Sequence, residues 1–235
     1  MSWSVPLMWE GGDVWIIGGG PSVSTQFKIP ANLVGRVRNG ESPMNALSPY
    51  MKGIHNKHVI GINAAYRLGD WIDIIFFGDN GFFLSNYNEL AVHPAMKVTC
   101  WPNLSGLYPW VHCVARDPEK TKGITKAVGK LSWNGNSGGA AISVAAHAGA
   151  KRIFLLGFDM TLDPNTSHMH FHDAYKRGSI VEPERLMKLP FDRHSIGFQD
   201  IAVDAKEMGI EIYNVNPASG IESFPKISLS EALNL

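Results

Sequence analysis

The feature that most constrains this chain is a series of seven short apolar runs set between polar or glycine-containing segments. They are VWII (14–17), HVIGIN (58–63), IDIIFFG (72–78), KVTCW (97–101), VHCVA (111–115), RIFLLGF (152–158) and IEIYNV (210–215). Most are apolar at consecutive positions, so a strand built from them would be buried on both faces. A sheet with one wet face reads as alternation, whereas a parallel sheet covered by helices on both sides reads as unbroken apolar runs. Helical segments fall between the runs. NSGGAAISVAAHAGA (136–150) leads into the run at 152, and GFQDIAVDAKEMG (197–209) sets Ile201, Ala205 and Met208 on one face, with Gly209 as its stop. Ser228 and Glu231 have the spacing of a capping box for a short last helix. Strand and helix in alternation predict an α/β fold, a single Rossmann-like, doubly wound and mainly parallel sheet.

No linker, repeat or low-complexity tract interrupts the 235 residues, so residues 1–235 read as one domain. The 21 basic and 21 acidic side chains leave a formal net charge of zero, which argues against nucleic acid or an anionic membrane as partner. The two cysteines, Cys100 and Cys113, have no metal-like spacing, and a reduced, cytoplasmic setting is expected. MSWSVPLMWEGGD has neither the basic start nor the apolar core of a signal peptide. No stretch approaches the ~20 apolar residues that span a bilayer.

Residues 160–194 fit the pattern least. They are polar, broken by prolines, and leave the carboxyl end of the run at 152–158, where open α/β sheets bind ligands. So long a connection is expected to form a lid over a binding cleft.

The polar punctuation marks candidate site residues. GGGPS (18–22) follows the first run directly, and three glycines in a row imply a very close approach of backbone to something else. Gly18, Gly19, Gly20, Pro21 and Ser22 stand where such folds offer backbone N–H groups to phosphate. They lack the G-x-G-x-x-G spacing and the lysine of a P-loop, and a tight strand-to-helix turn also explains them. Asn63 ends the second run, Asp79 and Asn80 the third, and Asp159 a later one, while Ser137 and Gly138 open the alanine-rich helix. In a parallel sheet those ends share one rim and converge on one cleft, although each residue taken singly also serves as a cap or turn. His168, His170 and His172 are two apart, which on a strand would put three imidazoles on one face. Without a second ligand cluster in the sequence, a polar lid segment is the simpler reading, and no metal site is assigned.

The ordered set IIGGGPS, GINAAY, IDIIFFGDN, NSGGAAISVAAHAGAKRIFLLGFDM and GIEIYNVNPASGIESFPKISLSEAL resembles the bacterial sialyltransferase-like glycosyltransferases of family 42. It is also similar to motility-accessory glycosyltransferases and to archaeal hydroxymethylpterin pyrophosphokinases, a superfamily with members in bacteriophages. The resemblance implies a nucleotide-activated sugar as donor, of the CMP-sialic-acid kind, and a glycan or small molecule as acceptor. It implies that Gly18–Ser22, Asn63, Ser137 and Gly138 hold the nucleotide, with Asp79, Asn80 and Asp159 nearby, that His194 is the general base, and that no metal or other cofactor takes part. The family's loop carries Asn where this chain has Gly19, and its lid tyrosines are represented here only by Tyr175. The pyrophosphokinase branch would instead use ATP, with Mg²⁺ on Asp79 or Asp159. A nucleotide-binding accessory protein without catalysis is the third alternative, and a homo-oligomer is compatible with all three. On chemistry alone, His194 is expected just before a helix starting near Ser195, whose N-terminal dipole, with Arg193, would keep its imidazole neutral.

Overall fold

The computed structural model describes residues 3–102, 104–172, 174 and 191–235. In chain order its elements are β1 Asp13–Ile17, α1 Ser22–Gln26, α2 Ala31–Arg38, a 3-10 stretch Met44–Ile54, β2 His58–Ile62 and a second 3-10 stretch Asn63–Leu68. Then come β3 Ile74–Phe77, α3 Asn80–Val92, β4 Met96–Thr99, α4 Leu104–Leu107, β5 Val111–Cys113, β6 Ala115–Arg116 and β7 Lys130–Leu131. The last third holds α5 Ser137–His147, β8 Arg152–Leu156, α6 Phe191–Ser195, α7 Phe198–Glu207, β9 Glu211–Asn214 and α8 Leu229–Asn234.

Each of the seven apolar runs supplies one strand of a seven-stranded sheet in the order β5-β4-β3-β2-β1-β8-β9. Every neighbouring pair in it is parallel. The chain steps outward from β1 to β5, then returns and lays β8 along the other edge of β1. Strand order therefore reverses between β1 and β8, the switch point at which connections leave to opposite faces and open a crevice at the carboxyl ends. At the amino end of the same pair Asp13 stands opposite Arg152, and the two form a paired salt bridge of 2.6 and 2.8 Å.

The two-faced burial read from the sequence is visible along β1. Trp15 and Ile17 join one core with Phe77, Phe154, Val23, Val34, Leu47 and Phe83. Val14 and Ile16 join the other with Phe76, Leu155, α5 and Ile201 and Ala205 of α7. Each fully buried Val, Leu, Ile or Phe contributes about 1.5–3 kcal/mol. On α5 half of the buried residues are alanines, Ala140, Ala141, Ala145 and Ala146, and with Gly139 and Ser143 their small size lets the helix lie close against the sheet. The final helix carries the expected capping box, with Ser228 and Glu231 satisfying each other's backbone N–H.

Three local expectations differ. The run at 97–101 is strand only to Thr99. The run at 111–115 divides: Val111–Cys113 pairs with β4, while Ala115–Arg116 turns away to pair with Lys130–Leu131 in a separate two-stranded sheet. The break is at Val114, whose N–H returns to the carbonyl of Thr99 at 2.9 Å. The third is that α7 begins at Phe198, behind Gly197 at φ 93°, and His194 belongs to the separate short helix α6.

Candidate functional site

A cavity of about 510 Å³ opens at the carboxyl ends of β1, β2, β3 and β8. Gly18, Gly19, Gly20, Asn63, Asp79, Ser137, Gly138, Asp159 and His194 all line it. Pro21, Ser22 and Asn80 do not border it, and Tyr175 lies outside the described residues. Its wall also includes Arg193, and with it His170, Trp133, Asn136, Met160 and Thr161, which the sequence reading did not place there.

The three glycines are explained first by the chain itself. A Cβ on Gly18 would stand 2.8 Å from the carbonyl oxygen of Gly157, and one on Gly20 would stand 2.5 Å from the Asp159 carboxylate. On Gly19 it would stand 2.8 Å from Nδ1 of His170. The loop is thus squeezed against the exit of β8 and against the histidine segment. Its amides are largely spent there: Gly18 N–H donates to Leu156 O at 2.8 Å, Gly20 N–H to Gly157 O at 3.0 Å, and Ser22 N–H to Asp159 at 2.7 Å. The expected cradle of loop amides is therefore reduced, among the described residues, to the N–H of Gly19. The loop offers a ligand a narrow ledge rather than a nest.

Asp159 has a structural task. It is 4% exposed, and its carboxylate accepts from the Ser22 amide and hydroxyl and from Asn216 Nδ2 at 2.9 Å. Burial pushes its carboxyl above the usual range, against the pull of these three donors. Ser219 and Asn214 brace the neighbouring Phe158 carbonyl at 2.7 and 3.0 Å. The closing NVNPASG segment thereby holds the β8 exit, which in turn holds the glycine loop. Asp79 caps α3, accepting from Phe82 N–H at 2.6 Å, and Asn80 is the first residue of that helix.

Two features face the cavity with unspent polar groups. Asn63 sits at φ 49° at the end of β2, and its buried Oδ1 has no hydrogen-bond partner among the described residues. Across from it α5 begins. Its cap, Asn136, accepts from Gly139 N–H at 2.7 Å, which leaves the first-turn amides of Ser137 and Gly138 at the positive end of an 11-residue helix. The Nδ2 of Asn136 donates to the carbonyl of His194 at 2.8 Å and so ties α6 to the start of α5. A polar residue directly before Ser-Gly-Gly was the available sign of this cap.

The histidines separate. His168 turns back on its own loop, with Nδ1 2.8 Å from Thr166 O. His170 and His172 stack with centroids 5.4 Å apart, in irregular backbone and not on a strand. Burial lowers His170 to about 4 and His172 to about 3. Among the described residues no group of three or more His, Cys, Asp and Glu side chains is placed to hold a metal ion. His194 is half-buried, and its imidazole is held below its ordinary value by burial first and Arg193 second. The direction and the part of Arg193 match expectation, but burial comes first, and His194 lies within α6 rather than directly before α7. Residues 163–172 are anchored: Arg38 donates to His170 O at 3.2 Å and pairs with Asp163 at 3.6 Å, and Phe171 is fully buried. Of the expected lid, residue 173 and residues 175–190 lie outside the described residues.

These elements define a Rossmann-like α/β protein with a cavity at the β1/β8 switch point. Among solved structures the fold is similar to the sialyltransferase CstII from Campylobacter jejuni in complex with a substrate analogue, cytidine-5'-monophosphate. The TM-score is 0.52 at 16% identity, over 93% of this chain and 86% of that one. CstII in complex with CMP-3FNeuAc gives 0.51 at 15%, over 92% and 86%. The MAf glycosyltransferase from Magnetospirillum magneticum AMB-1 gives 0.54 at 12%, over 97% of this chain and 36% of that protein. At these identities the likeness is one of fold. No protein-family model and no curated protein matches the sequence.

Proposed function

We propose that this protein is a glycosyltransferase that takes its sugar from a nucleotide donor of the CMP-sialic-acid type. The observation that carries the reading is the meeting, in one cavity at the switch point, of the α5 N-terminus with an imidazole kept neutral. The amides of Ser137 and Gly138 suit a phosphate, and Asn63 suits a polar edge of the nucleotide. Among the described lining residues Arg193 is the permanent cation, set against Asp79 and Asp159, a balance that favours one phosphodiester over a diphosphate. CstII, whose fold this chain shares, was solved with cytidine-5'-monophosphate and with CMP-3FNeuAc.

In the reaction an acceptor hydroxyl attacks the anomeric carbon. The carbon–phosphate oxygen bond breaks, and its electron pair leaves with the nucleoside monophosphate. The hydroxyl proton passes to His194. The helix dipole and Arg193 stabilise charge growing on the phosphate, and the reading assigns no step to a metal. The anchored strap at 163–172 walls one side of the cavity from water. Cys100 and Cys113 are both free, which suits a reducing compartment such as the cytoplasm. Among the described residues no helix is long and apolar enough to cross a membrane.

The test is transfer from, or hydrolysis of, CMP-sialic acid, with melting measured beside CMP, UDP, GDP and ATP with and without Mg²⁺. CMP at ~100 Kd should stabilise by ~2.7 kcal/mol. His194→Ala should lower turnover at least ~100-fold while CMP still binds. Full activity in that variant would remove the base assignment, and stabilisation by ATP with Mg²⁺ alone would remove the donor class.

A further inference from the structure

Trp133 borders the cavity and is half-buried. The backbone around it is pinned. The fully buried Asn134 accepts from Gly123 N–H at 2.7 Å and donates to Gly123 O at 2.9 Å and to Ser132 O at 3.1 Å, while Trp133 O accepts from Asn136 N–H at 3.3 Å. Two neighbours place the indole itself. The Arg116 guanidinium lies over one face, 4.1 Å from the ring centroid, and is held there by donating to Gly78 O at 3.2 Å. The outer edge of the six-membered ring fills the space that a side chain on Gly78 would need: a Cβ there would stand 2.2 Å from Cη2 and 2.5 Å from Cζ3. Neither Arg116 nor Gly78 belongs to the cavity wall. The covered face and the covered edge are thus turned away from the cavity, and the opposite face is turned towards it. The same Cβ would stand 3.0 Å from Ser137 Oγ, so the ring and the first residue of α5 lie within one side chain's reach of each other.

We propose that Trp133 is the stacking platform for the nucleobase of the donor, with Arg116 as the positioning residue behind it. A phosphate at the amides of Ser137 and Gly138 brings the rest of a nucleoside monophosphate next to the indole. The anomeric carbon of the sugar belongs beside His194, which leaves the ring for the base. Stacking is indifferent to which base is bound, since every base has a π-face. Trp133 therefore supplies affinity for a nucleotide, and the choice among bases falls to polar groups such as Asn63. An indole held by Arg116 and Gly78 loses little freedom when a ligand binds, which is the value of fixing it before the ligand arrives. The inference deepens the proposed function and rests on its donor class.

The experiment measures CMP binding by titration calorimetry to wild type, Trp133→Phe, Trp133→Leu and Arg116→Met. Beside it, the melting shift given by ribose 5-phosphate reports a ligand that keeps sugar and phosphate but lacks the base. Trp133→Leu should weaken CMP about tenfold and leave the ribose 5-phosphate shift unchanged, and Trp133→Phe, which keeps a ring, should recover most of the loss. Arg116→Met should weaken CMP severalfold in wild type but not in a Trp133→Leu background, where no ring is left to position. A cation acting on the phosphate through space would instead weaken both ligands alike. CMP bound by Trp133→Leu as tightly as by wild type overturns the proposal and leaves the donor class standing. So does an equal loss for both ligands, a Trp133→Phe variant no better than Trp133→Leu, or a wild type that binds ribose 5-phosphate as well as CMP. An Arg116→Met effect that is the same with and without the indole removes Arg116 from the arrangement. A wild type that binds neither ligand overturns the donor class of the proposed function, and this inference with it.

Discussion

At the scale of single residues the proposed reaction depends on protonation. His194 must be unprotonated to accept a proton, and burial with Arg193 holds its pKa below the ordinary imidazole value near 6.5. The acid limb of kcat/KM should therefore fall below that value, with activity lost only as pH drops through the lowered pKa. Arg193→Gln removes the second cause and leaves the first. The limb should move upward in pH without reaching the ordinary value, which a pH–rate profile reads directly. A limb that does not move would mean that Arg193, 3.3 Å from Nε2 of His194, does not act on it. Sequence chemistry found this histidine and the sign of its shift. It foresaw the part of Arg193 but gave the rest to a helix N-terminus, whereas burial comes first and His194 lies in α6, ahead of the start of α7. The sequence reading weighed His170 only with His168 and His172, because its contact with Gly19 joins residues far apart in sequence and residue spacing carries no signal of such a contact.

At the scale of elements the decisive joint is between α5 and α6. Asn136 caps one helix with its oxygen and holds the other with its nitrogen. Asn136→Ala should cost about 1 kcal/mol of stability for the lost cap, read by urea unfolding. Its effect on kcat should be larger than that cost explains, since the carbonyl of His194 loses its tether. Equal behaviour of Asn136→Ser, which keeps a cap but cannot span to His194, would show that the tether is idle. The strands were the most legible elements, because burial on both faces leaves a strong and local signature. The edge at Val114 and the helix α3 were not read. The first turns on a hydrogen bond to Thr99, and the second presents Phe82, Phe83 and Leu90 without a clear helical repeat.

For the molecule as a whole, Asp159 links the loops after β1, β8 and β9. Asp159→Ala would leave the Ser22 amide and Asn216 Nδ2 without their acceptor, at about 1–3 kcal/mol for each buried group. A loss of about 2–6 kcal/mol in urea unfolding is expected, together with loss of CMP binding as the glycine loop is released. Unchanged stability would show that water replaces the carboxylate. The sequence placed Asp159 at the right rim. It could not distinguish a residue that touches ligand from one that braces the loop, since both need a polar group at a strand end.

The reversal of strand order between β1 and β8 also bears on how the chain is made. By the time β5 has emerged from a ribosome, β1 has its partner β2 on one side only. Its other edge, bearing Val14, Trp15, Ile16 and Ile17, must wait for β8, whose register partners lie 139 residues further along at Asp13 and Arg152. Through that interval the growing chain presents an apolar, unpaired strand edge of the kind that recruits other chains. The joining of β8 to β1 covers that edge and brings together the rim on which the cavity opens, so a nascent chain has no site to offer a ligand until its own most adhesive surface has been put away.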